Sequence, residues 1–134
     1  MPADAPRIDG VDVAAYRIPT DRPEADGTLE WCATTLVVVT VQAGAHSGLG
    51  YSYTHHAAAE LVRDRLADVV TGRDAFAIPA CWQAMVEVVR NLGRPGLASA
   101  AIAAVDAALW DLKAHCLELP LVDLLGRARD AVPV

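Results

Sequence analysis

The sequence predicts an α+β domain: a three-stranded antiparallel sheet followed by a three- to four-helix bundle. Two observations carry this reading. β-Branched, alternating stretches fill the first 53 residues, and a 3.6-residue apolar period takes over after Thr54. Strands first and helices second is the order of α+β folds, not of alternating parallel units. A length of 134 residues fits one domain.

The first strand is expected over Ile8–Pro19, where Val11, Val13 and Ala15 alternate. The second runs over Leu29–Ala43 with Val37 to Val39 at its apolar centre, and the third over Ser47–Thr54. Glycines in Ala43–Gly48 predict a hairpin. Thr20–Thr28 is polar and carries Pro23 and an Asp-Gly pair, so it reads as a loop.

The first helix is expected between an N-cap at Thr54 and a stop at Gly72, burying Ala58, Leu61, Val62, Leu66, Val69 and Val70. A second starts near Pro79 with Trp82, Met85, Val86 and Val89 inward. Asn91–Gly96 breaks the chain. A third helix spans about Leu97–Leu117, and a short fourth follows Pro120 and ends at Gly126, before an extended tail. Alanine on nearly every face of the third helix predicts burial all round.

Hydrophobic residues make up 54% of the chain, a high share for so small a domain, so some apolar surface is expected to meet a partner. A net charge of −6 argues against nucleic-acid binding. Three scattered cysteines, Cys32, Cys81 and Cys116, suggest neither disulfides nor a zinc site, and fit a cytoplasmic protein. The start has no apolar signal core, and no apolar run is long enough for a membrane helix. Gly44–Gly50 holds glycines but no phosphate-binding pattern, and Ser99 has no nucleophile motif around it.

The third helix carries Val105-Asp106-Ala107-Ala108-Leu109-Trp110-Asp111 and Lys113, and Leu119-Pro120-Leu121 and Leu124-Leu125-Gly126 follow it. This combination resembles the signature of the amino-terminal domain of the enolase superfamily, in its mandelate racemase and muconate-lactonizing branch. Gly48–Thr54 and Gly72–Phe76 are similar to words of that domain, and the likeness runs from about Arg7 to Val134. Glu118 stands where the family usually has glycine, and His115 where lysine is frequent.

The resemblance implies a capping domain, residues 1–134, that works with a (β/α)₇β barrel. The barrel holds magnesium and the catalytic bases, which abstract a proton α to a carboxylate in racemases, cycloisomerases and sugar-acid dehydratases. The barrel is expected to be absent from this chain, which reaches Val134 about where a first barrel strand would start. No catalytic or metal-binding residue is expected here, and the chain alone should be inactive. Asp106, Trp110, Asp111 and Lys113 then serve as packing and buttressing residues.

By the same resemblance, two cap segments face a small carboxylate substrate. Thr20–Gly27 offers Asp21, Arg22 and Glu24; Gly50–His56 offers Tyr51, Tyr53 and His55. The implied partners are the barrel, in cis or in trans, and further copies of the protein as a homo-oligomer, with neither nucleic acid nor membrane. The competing reading is a free-standing interaction module that keeps the cap fold. Without a barrel, Leu109, Leu112, Leu121, Val122 and Leu125 are expected to leave an exposed apolar patch.

Overall fold

The computed structural model describes residues 5–133; the expected readings at residues 1–4 and at Val134 lie outside the described residues. Three strands come first: β1 (Gly10–Ala25), β2 (Glu30–Ala43) and β3 (His46–Tyr53). They form one antiparallel sheet in the order β1-β2-β3. Its inward rows are Val11–Val41–Gly48, Val13–Val39–Gly50 and Ala15–Val37–Ser52. Val37, Val39 and Val41 are fully buried, as the alternation of β2 requires.

The helices cover that inner face. α1 (Ala57–Leu61) passes through a π-helical turn, Val62–Leu66, into α2 (Ala67–Val70). α3 (Ile78–Val88), α4 (Leu97–Cys116) and α5 (Leu121–Leu125) follow. Val62, Leu66, Met85, Leu109 and Leu112 meet the β2 valines in the core. Each such side chain stabilises the fold by about 1.5–3 kcal/mol through its removal from water. No described helix is long and apolar enough to cross a membrane.

α4 lies directly against β3. A Cβ at Gly48 would overlap the Ala108 carbonyl oxygen and the Leu112 amide; one at Gly50 would overlap the Ala104 carbonyl. Ser52 Oγ donates to the Ala100 carbonyl at 2.8 Å on the same line of approach. The glycines of β3 and the alanines of α4 are therefore two halves of one close contact.

Several expectations change. β1 runs on to Ala25 rather than ending at Pro19, so most of the expected Thr20–Thr28 loop is strand. Pairing stops at Pro19–Ala33 and resumes at Glu24–Trp31, so Thr20–Pro23 bulges opposite the single residue Cys32. The first helix starts at Ala57 behind His56, not behind Thr54. Met85 and Val89 are buried as expected, but Trp82 is 40% exposed, because Ile78 and Cys81 complete the inward face. α4 is not buried all round: Ser99, Ala103 and Ala107 are exposed. Leu109 and Leu112 are core residues, whereas Val122 and Leu125 are exposed.

Candidate functional site

β3 ends at Tyr53, while β2 continues back to Glu30. The last β2–β3 pair is Leu36–Tyr53, so β2 from Trp31 to Thr35 has no β3 neighbour in the ladder. The chain leaves β3 with one more bond, Thr54 N–H to the Thr35 carbonyl at 3.1 Å. An open groove of about 410 Å³ results, lined by Trp31, Ala33, Thr34, Thr35, Tyr53, Thr54 and His55.

The β1–β2 tip is hydrogen-bonded beside this groove. The Trp31 indole N–H donates to Glu24 Oε2 at 2.9 Å. Asp26 Oδ1 accepts the Thr28 N–H and hydroxyl, both at 2.8 Å, and the Leu29 N–H at 3.0 Å. These bonds, the Thr28 backbone N–H first, hold the Asp26 carboxyl below the usual carboxylate range. The Asp-Gly pair is thus a side-chain-closed turn at the end of a ribbon.

The predicted residues divide into three places. Tyr53 and His55 line the groove, and Glu24 reaches it through Trp31. His55 Nδ1 accepts the Ala57 N–H at 3.2 Å, so it also closes the start of α1. Tyr51 packs edge to face on Tyr53, ring centres 6.4 Å apart, but lines a neighbouring groove. Asp21 and Arg22 sit exposed in the β1 bulge. Trp31 was not among the predicted residues. Its alternation with buried Val37 through Thr35 and Ala33 placed it in the sheet, and only β3's early end opens a space beside it.

The neighbouring groove is apolar: Leu49, Gly50, Tyr51, Ala107, Trp110, Leu121 and Leu125 enclose about 540 Å³. It continues past α5 to Ala128 and Val132. The polar residues of α4 brace this region. Asp111 Oδ2 accepts the Leu49 N–H at 2.8 Å. His115 Nδ1 lies 2.7 Å from the Ser47 carbonyl. Lys113 Nζ reaches the Phe76 carbonyl at 3.5 Å and sits 5.6 and 5.4 Å from the Phe76 and Trp110 ring centres. Among the described residues, no three His, Cys, Asp or Glu side chains converge.

The domain thus pairs an open groove at its strand ends with an apolar flank along α4 and α5. Residues 9–126 match the model of the mandelate racemase / muconate lactonizing enzyme N-terminal domain, and the chain belongs to that family, within the enolase superfamily. It is 37% identical over 134 aligned residues to a 3,6-anhydro-α-L-galactonate cycloisomerase of Streptomyces coelicolor, covering 95% of this chain and 37% of that one. It superposes on a mandelate racemase/muconate lactonizing enzyme-like protein of Rubrobacter xylanophilus with a TM-score of 0.92 and 48% identity, covering 96% of this chain and 36% of that one. L-talarate/galactarate dehydratase of Salmonella typhimurium, solved with Mg and L-lyxarohydroxamate, gives 0.82 and 26%, covering 96% and 35%. The chain therefore spans little more than a third of the length of each of these three relatives.

Proposed function

We propose that this chain is the capping and substrate-selecting part of a magnesium-dependent enzyme that removes a proton α to a carboxylate. The remaining machinery, a barrel with its metal and bases, acts with it in cis or in trans. A sugar acid is the substrate class. The observation that supports this reading is the groove beside the Gly50–His56 segment: Trp31, whose indole N–H bonds Glu24, lines the same space as Tyr53 and His55.

The lining suits a polyhydroxylated acid. Trp31 and Tyr53 give apolar ring surface, and Thr34, Thr35, Thr54 and Tyr53 bring hydroxyls that both donate and accept. Closed over a barrel mouth, such a wall excludes water and orients the substrate without taking its proton. Magnesium, bound by the barrel, would stabilise the charge that develops on the substrate carboxylate. The uncovered flank of Ala107, Trp110, Leu121 and Leu125 supports a docked barrel, and explains why the isolated chain should self-associate.

The test is a hybrid enzyme. Residues 9–126 replace the matching segment of the Streptomyces coelicolor cycloisomerase, and its cycloisomerase reaction is assayed. The proposal predicts measurable turnover from the hybrid and none from the 134-residue chain. A well-folded hybrid without turnover, even with magnesium in excess, would sink it.

A further inference from the structure

We draw no further inference here: the strongest candidate, the outer edge of β3 from Leu49 to Tyr53 beside the apolar groove of Trp110, Leu121 and Leu125, carries nothing because nothing in the structure shows what covers it.

Discussion

The carboxylate of Asp111 on α4 accepts the backbone N–H of Leu49 on β3 at 2.8 Å. A helix side chain thereby joins the sheet edge. The bond closes the same seam in which Gly48 and Gly50 let α4 approach. Asp111→Ala should lower stability by about 1–2 kcal/mol, because it leaves that N–H short of an acceptor. Asp111→Asn, which keeps an acceptor oxygen, should cost less. Urea denaturation measures both, and equal losses would contradict the assignment.

Gly50→Val tests the seam itself. The added side chain meets the Ala104 carbonyl and the Ala108 amide, which are backbone and have nowhere to go. The variant should lose about 3 kcal/mol or more, or fail to fold. A thermal melt unchanged from the parent chain would refute the close approach.

Glu118 has φ +53°, the left-handed region, and is the one non-glycine residue found there among the described residues. It follows α4 where the family resemblance leads one to expect glycine. Glu118→Gly should stabilise the chain by about 1 kcal/mol, since glycine adopts this backbone without a Cβ penalty. Glu118→Ala should bring no such gain. Chemical denaturation of the two variants decides it.

Asp106 links stability to pH. Burial pushes its carboxyl up. The unfolded chain therefore releases this proton at lower pH, near 3.8, than the native chain does. Between those two values the native state holds more protons, so stability falls as pH rises through the window. Below it both states are protonated and the effect vanishes. Asp106→Asn should match the parent chain at low pH and exceed it near neutrality. Urea midpoints across a pH series read this directly, and a variant weaker at neutral pH would reverse the sign.

Trp31 forms one wall of the groove, and Tyr53 another. In the hybrid enzyme, Trp31→Ala should reduce kcat/KM by about tenfold or more, and Tyr53→Phe by less. Asp21→Ala, in the exposed bulge, should leave kcat/KM within about twofold. A large effect at Asp21 with none at Trp31 would move the substrate contact from the groove to the bulge.

Much of the fold was legible because period 2 gives way to period 3.6 near Thr54, and because the valines of β2 and the Val62, Leu66 and Val70 set repeat on one side. The site was less legible. Pro23 and the Asp26-Gly27 pair carry loop chemistry, yet the chain uses them for a bulge and a tight turn inside a longer ribbon. Trp82 has the spacing of a core residue, but its neighbour Cys81 took the inward place. The place of Trp31 on the groove comes from where β3 stops, a tertiary fact that no local pattern contains.

The central claim is that this domain acts as one part of a larger catalytic assembly. The most direct test is the intact mass, in its native source, of the polypeptide that yields the tryptic peptide ending at Lys113. The account predicts a mass about three times 14.2 kDa, or a 14.2 kDa chain that co-purifies with a barrel subunit. A 14.2 kDa chain that purifies without any barrel would contradict it.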